Sequence, residues 1–195
     1  MEAEKNLPYR TLVVRSGQVV GPHDYSGRLP YWVHRMKQGG DVIAPGDRKR
    51  QVQIIDVRDL ASWVVNRVEE RVTGIYNVTG PSYKLTMEEL LNTCKDVCNP
   101  NTKLIWIEEE FLLNNQIKPW DELPLWLPEA LNGAASVNNE KALNEGLSFL
   151  PLRQTIEDVN SWLDYKGNSN TSDFATVLSK EKESKIIDAW KQLSR

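Results

Sequence analysis

Cysteine is almost missing from this sequence: Cys94 and Cys98 are the only two in 195 residues, and neither histidine, His23 or His34, stands near them. That scarcity argues against a disulfide scaffold or a zinc site and leaves two reduced thiols on one helical face as the expected state. No apolar run approaches the roughly 20 residues that cross a bilayer. The opening MEAEKNLPYR is too charged for a secretory leader, so a cytoplasmic location is expected. Positive charge is not in excess either, since 24 basic residues face 27 acidic ones for a net charge of −3. Such a chain has no broad cationic field to attract phosphate backbones or anionic lipid, and neither nucleic acid nor a membrane is an expected partner. What the chain does have is 40% hydrophobic residues, enough for one compact core or two small ones.

β-Branched residues run from Thr11 to Val14 and return at Val19 and Val20 before Gly21-Pro22, the pattern of a buried strand and its exit loop. Apolar side chains on both faces of Leu12, Val13 and Val14 suit a parallel sheet covered on both sides. Tyr31, Trp32 and Met36 fall at helical spacing ahead of a Gly39-Gly40 stop. DVIAPG and QVQII, on either side of the polar turn 47–50, read as a hairpin or a loop–strand pair. Asp59, standing before Leu60, Trp63, Val64 and Val68, predicts a capped helix over about 60–70. GIYNVTG repeats the strand signature, and Thr86-Met87-Glu88-Glu89 is a capping box for the next helix. KLIWI is a further strand, followed by three glutamates that suit a helix N-terminus. Pro119, Pro124 and Pro128 make the segment KPWDELPLWLPE irregular. Beyond it, 139–145 predicts a short helix stopped at Gly146, and Thr155 is expected to cap a helix carrying Ile156, Val159 and Trp162. The polar stretch 166–173 reads as a linker, and Val177, Ile186, Ile187, Trp190 and Leu193 as a docked C-terminal helix.

Strand and helix alternate, so the expected fold class is α/β. The ordered series LVVRSGQVVGP, IIDVRDLA, GIYNVTGP, a capped helix and NNEKALNEGLSFLPLRQTIEDVNSWL resembles the C-terminal half of the extended short-chain dehydrogenase/reductases, the NAD-dependent epimerase/dehydratase family. The resemblance implies the C-terminal portion of a Rossmann-like parallel sheet plus a small α+β substrate-binding domain. Residues 1–80 would carry the residual Rossmann strands and helices, 81–165 the substrate-binding domain, 166–173 the linker and 174–195 the C-terminal helix. Enzymes of the family hold NAD or NADP at a G-x-x-G-x-x-G turn and move protons with a Tyr-x-x-x-Lys pair. Neither motif is in this chain: no three of its 11 glycines have that spacing, and the residues four after its six tyrosines are Val13, Leu29, Arg35, Gly80, Met87 and Ser169. MEAEKNLPYR resembles the tail of the family helix that bears the Tyr/Lys pair, which places the missing lysine before Met1.

The resemblance therefore implies a truncated half: the substrate-binding portion of an NAD(P)-dependent oxidoreductase, inactive by itself and without tight dinucleotide binding. Two alternatives stand beside it. One is a non-catalytic module that keeps the small-molecule pocket. The other is an interaction protein whose exposed strand edges, near 12–15 and 75–78, pair with a complementing N-terminal Rossmann half or with a second copy.

The resemblance sets Ser16, Gly17 and Val19 beside the cofactor and gives Gln18 a hydrogen bond to substrate. His23, Asp24 and Arg28 would border the substrate cleft, where such a trio can hold a carbonyl or carboxylate. Read without the resemblance, Gly17 accommodates a turn and the 23–28 segment is a solvated loop. Arg15 is expected to pair with a carboxylate of the fold, and Asp56, Arg58 and Asp59 to position backbone. No catalytic residue and no metal ligand is expected. Nucleotide-sugar members typically carry an arginine in the QVQII stretch to neutralise a diphosphate, and this chain offers Gln53, which implies a smaller or less anionic substrate. Trp32, Trp120 and Trp126 are candidates for the wall of an apolar pocket or for ordinary core.

Overall fold

The computed structural model describes residues 2–166 and 178–193. After a short helix, α1 (Glu2–Asn6), the Val-rich run forms two strands, β1 (Leu12–Ser16) and β2 (Gln18–Val20), separated by Gly17. Helix α2 (Arg28–Lys37) stops where Gly39 takes a φ of 70° and donates its N–H to the Met36 carbonyl. Then come β3 (Asp41–Pro45), β4 (Ile54–Asp56), α3 (Val57–Glu69), β5 (Gly74–Val78), α4 (Met87–Cys98) and β6 (Lys103–Ile107). Helix α5 (Glu109–Asn114), a 3-10 turn over Glu129–Ala135, α6 (Glu140–Asn144), α7 (Leu152–Lys166) and α8 (Lys180–Leu193) complete the described residues.

The strands pair in parallel: β1 with β5, β2 with β4, and β3 with β6. This overturns the hairpin, one of the two readings of DVIAPG and QVQII, because these runs become β3 and β4 and do not pair with each other. The turn between them does close, with Arg50 N–H on the Asp47 carbonyl at 3.0 Å. Its flanks, however, are buried on both faces, which requires cover from two sides and so favours parallel partners reached through helices. The α/β class is thus realised as short parallel sheets packed by helices.

The larger core gathers β3, α2, α4, α7 and α8 around Trp32 and Trp126, both fully buried. Trp32 belongs to this core and not to a pocket wall: its indole N–H donates to the Pro124 carbonyl at 2.7 Å. A smaller core sits under α3, where Trp63, Tyr76, Val78 and Leu147 meet. On α4, Cys94 is fully buried and Cys98 half-buried, both thiols are free, and burial pushes the Cys98 thiol up to about 11. Among the described residues no helix is long and apolar enough to cross a membrane.

Two expected caps move. The Asp at the start of α3 is Asp56, whose Oδ1 accepts from the Arg58 N–H at 2.9 Å, because β4 runs directly into the helix three residues before Asp59. Asp59 instead accepts the Leu150 N–H at 3.0 Å. Thr155 lies inside α7, which begins at Leu152, and its hydroxyl donates to Asp56 Oδ2 at 2.8 Å. Thr86 caps α4 as expected, accepting from the Glu89 N–H at 3.2 Å. Of the expected linker at 166–173, Lys166 ends α7, and 167–173 together with Val177 lie outside the described residues.

Helix α8 docks by charge as well as by apolar contact. Glu183, 3% exposed, accepts from Arg35 Nε at 2.7 Å and from the Ile43 N–H on β3 at 3.1 Å, while Ile186 and Ile187 enter the core. Arg35 completes its bonding on the Gly39 and Asp41 carbonyls. Glu183→Leu leaves a buried guanidinium and a strand N–H without their acceptor, and should cost about 3 kcal/mol in urea unfolding. A loss below about 1 kcal/mol on the same scale shows that the helix does not rely on this pair.

Asp56 supplies a pH-dependent share of stability. Burial alone would raise its carboxyl, but hydrogen bonds from the Arg58 guanidinium and N–H and from Thr155 outweigh burial and hold it below the ordinary carboxylate range. A depressed folded-state pKa stabilises above the unfolded value of about 3.9 and is lost as pH falls through the folded value. Asp56→Asn should therefore be destabilised by on the order of 2 kcal/mol at pH 7. Its difference from the parent should shrink as denaturation is measured below about pH 4. A difference that stays constant from pH 7 to pH 3 contradicts the assignment.

Candidate functional site

The register of β1 on β5, Leu12 with Gly74 through Ser16 with Val78, brings both C-terminal strand ends to one place. There the chain has to leave β1, turn and enter β2 while Thr79 packs against it. Gly17 makes this possible: a Cβ on Gly17 would stand 2.0 Å from Thr79 Oγ1, so no side chain fits. The Gly17 N–H donates to the Val78 carbonyl at 3.1 Å and extends the pairing by one residue. Beyond these ends opens a cavity of about 420 Å³. Crevices outside the carboxyl ends of parallel strands are where α/β folds bind ligands, since backbone and side chains converge there without blocking access.

Ser16, Gly17 and Gln18 line this cavity. Val19 does not; it packs against the smaller core, because a strand turns successive side chains to opposite faces. The Gln18 amide donates to Ser26 Oγ at 3.4 Å and to the Val19 carbonyl at 3.3 Å, and accepts from Arg28 Nη1 at 3.3 Å. The Arg28 guanidinium lies 4.9 Å from the ring centroid of Trp120, a residue that lines the cavity while Arg28 itself does not. Asp24 Oδ1 fastens the loop by accepting from the Ser26 N–H at 2.8 Å and its hydroxyl at 2.6 Å. The structure therefore brings Gln18, Asp24 and Arg28 together through Ser26. Gln18 is held by three long bonds, which leaves its amide free to exchange partners at small cost. His23 stays apart: it is exposed, has a φ of 67°, and its ring sits against Trp162 at 5.4 Å.

The remaining wall is apolar: Trp120, Leu125, Leu127 and Val137, with Val52 across from them. Trp120 is thus a pocket residue, whereas Trp126 is core. Gln53 also lines the cavity, but both ends of its amide are taken by the Val137 backbone, at 2.9 and 2.8 Å, so it clamps the wall in place. Asn77 and Thr79 are site residues that sequence reasoning did not single out. Asn77 was legible as the one amide in an otherwise apolar strand; Thr79 was not, since its place depends on the glycine opposite. Asn77 donates to the Asn138 carbonyl at 3.0 Å, and the buried Thr79 hydroxyl has no hydrogen-bond partner among the described residues.

Among the described residues, Arg15 is the single ionisable side chain lining the cavity. The expected ion pair with a carboxylate of the fold is not formed among the described residues, because Arg15 lies at the exposed end of β1 opposite Asn77. Its charge faces the opening. Asp56, Arg58 and Asp59 lie elsewhere, at the junction of β4 with α3, and build structure there.

A dinucleotide needs an uncapped helix N-terminus for its pyrophosphate. Two helices here follow a strand directly, and both begin with carboxylates: Asp56 at α3, and Glu108, Glu109 and Glu110 at α5. A diphosphate placed at either would meet like charge, so neither of these two helix starts fits that part of NAD or NADP. The strand end at Ser16 and Gly17 is open to a substrate but offers no phosphate cradle.

Residues 2–79 match the NAD dependent epimerase/dehydratase family. No curated protein matches the chain. Solved structures with the same fold include a GDP-L-fucose synthetase from Naegleria fowleri bound to NADP, at 15% identity and a TM-score of 0.57 over 82% of this chain and 49% of that one. The Thermus thermophilus UDP-glucose 4-epimerase in complex with NAD overlays at 17% identity and 0.56, over 86% of this chain and 50% of that one. The dTDP-glucose 4,6-dehydratase from Bacillus anthracis in complex with NAD overlays at 15% and 0.54, over 95% and 50%. The chain spans about half the length of these structures. Residues 2–79 are thus similar to the NAD dependent epimerase/dehydratase family, and the described residues share the fold of these epimerases and dehydratases.

Proposed function

We propose that this chain supplies the substrate-binding portion of an NAD(P)-dependent epimerase/dehydratase-type oxidoreductase. A complementing Rossmann portion brings the dinucleotide turn and the Tyr/Lys pair. The observation that carries the reading is the cavity at the joined ends of β1 and β5, where Ser16, Gly17, Gln18 and Asn77 converge on one opening within the segment that matches the family.

The lining sets the substrate class. One guanidinium, several amides and hydroxyls, and a broad apolar wall suit a small carbonyl or hydroxyl compound with a single negative charge. A nucleotide diphosphate carries more charge than Arg15 can neutralise, and Gln53 is already committed to backbone. Arg15 would hold the anionic group, Gln18 and Asn77 would orient the reacting oxygen, and the Trp120 side would exclude water. The missing phosphate cradle favours a second reading, a non-catalytic binding module derived from the family, which keeps the small-molecule ligand and dispenses with the cofactor.

Co-expression of this chain with the polypeptide encoded immediately upstream separates the two readings. The first predicts an upstream product with G-x-x-G-x-x-G and Tyr-x-x-x-Lys, a stable complex, and NADH- or NADPH-dependent reduction of a monocarboxylated carbonyl compound such as phenylpyruvate. Arg15→Met should then lower kcat/KM by about 10- to 100-fold, the worth of one charge-assisted contact, with little change in thermal stability. Reduction by this chain unaided contradicts the proposal, as does a complex that is indifferent to Arg15.

A further inference from the structure

A second and larger cavity, of about 710 Å³, lies at the other end of the short β2–β4 pair. Strands β2 and β4 run parallel, so Gln18 and Gln53 mark the end near the first cavity, while Val20 and Asp56 mark the carboxyl ends that open here. This crevice has the same relation to its strands as the first cavity has to β1 and β5.

Its floor is apolar and rigid. Val20, Leu85 and Ile54 are at most 5% exposed, and Leu147 and Phe149 close the far side. The wall is preformed by two contacts. Gly80 lies so close to the Phe149 ring that a Cβ on it would stand 2.2 Å from the ring, and Asp59 holds the Leu150 N–H at 3.0 Å. Asp56 fixes the back by binding both Arg58 and Thr155, which also neutralises Arg58.

The lining's remaining charge is one-sided. Asp59, Glu89 and Asp96 face it, against Arg153, which is paired with Glu157 on its own helix. Asp96 has no ion pair among the described residues, and Glu89 accepts only the Tyr83 hydroxyl at 2.8 Å besides its backbone bonding. Tyr83 itself, 48% exposed, stands at the rim with its ring available to a cation. Burial raises the Asp59 carboxyl above the ordinary range, the condition under which an incoming cation gains most from meeting it.

We propose that this cavity is a second binding site, one that takes an organic amine: an ammonium group meets Asp59 and Glu89, and an aromatic or aliphatic body rests on Val20, Leu85, Leu147 and Phe149. The first cavity presents a lone guanidinium; this one presents carboxylates over an apolar floor, so the two select ligands of opposite charge.

Phenethylamine and phenylacetate, which share a body and differ in the sign of the head group, test this on the full chain by heteronuclear NMR titration. Saturable amide shifts should appear with phenethylamine at Ser82, Tyr83, Ser148 and Phe149, and at least tenfold weaker ones with phenylacetate. Asp59→Asn, which keeps an acceptor for Leu150, and Glu89→Gln should each weaken the amine by about three- to tenfold while the spectrum stays folded. Equal binding of the two compounds, shifts confined to other residues, or amine binding unchanged in both variants would overturn the proposal. So would the absence of any saturable shift.

Discussion

The chain between Leu12 and Val20 serves two sheets, and it does so because Gly17 brings no side chain to its contact with Thr79. Before that glycine the backbone pairs with β5; after it, with β4. A methyl group there would have to displace Thr79 by more than a packed core yields, and both cavities depend on strands this joint aligns. Gly17 is therefore a constraint on the architecture first and a site residue as a result. From the same joint Gln18 reaches Arg28 and Ser26, which links the strand end to the loop that borders the first cavity.

Charge then divides the molecule's possibilities. Carboxylates occupy the starts of the two helices that directly follow strands, α3 and α5, and a pyrophosphate at either would meet like charge. The first cavity, by contrast, contains one guanidinium and no carboxylate among the described residues. This distribution is what the proposed function rests on: a guanidinium at the strand ends, and carboxylates where α3 and α5 begin.

The elements were legible wherever local chemistry decides them. Val-rich runs became strands, Thr86 became a cap, and Gly39 and Gly146 stopped helices at positive φ. The hairpin reading of β3 and β4, one of two the sequence left open, is not realised because adjacency in sequence says nothing about which parallel partner a doubly buried strand selects. Asp59 and Thr155 were misread as caps for a related reason: each is a polar residue near a helix start, and only the fold shows that Asp56 is the cap and Thr155 its partner. Ser16, Gly17 and Gln18, which the resemblance singles out, line the first cavity. Thr79, Leu125 and Leu127 were not singled out for it, since they arrive from segments far away in the chain whose approach no spacing encodes.

The central claim is that this chain carries a substrate cavity without a nucleotide cradle, and calorimetric titration of the purified protein with NADH and NADPH tests it most directly. The account predicts no saturable heat for either dinucleotide up to about 1 mM. Stoichiometric binding with a dissociation constant near 1 μM would contradict it, because the described residues would then hold a pyrophosphate that their charges should repel.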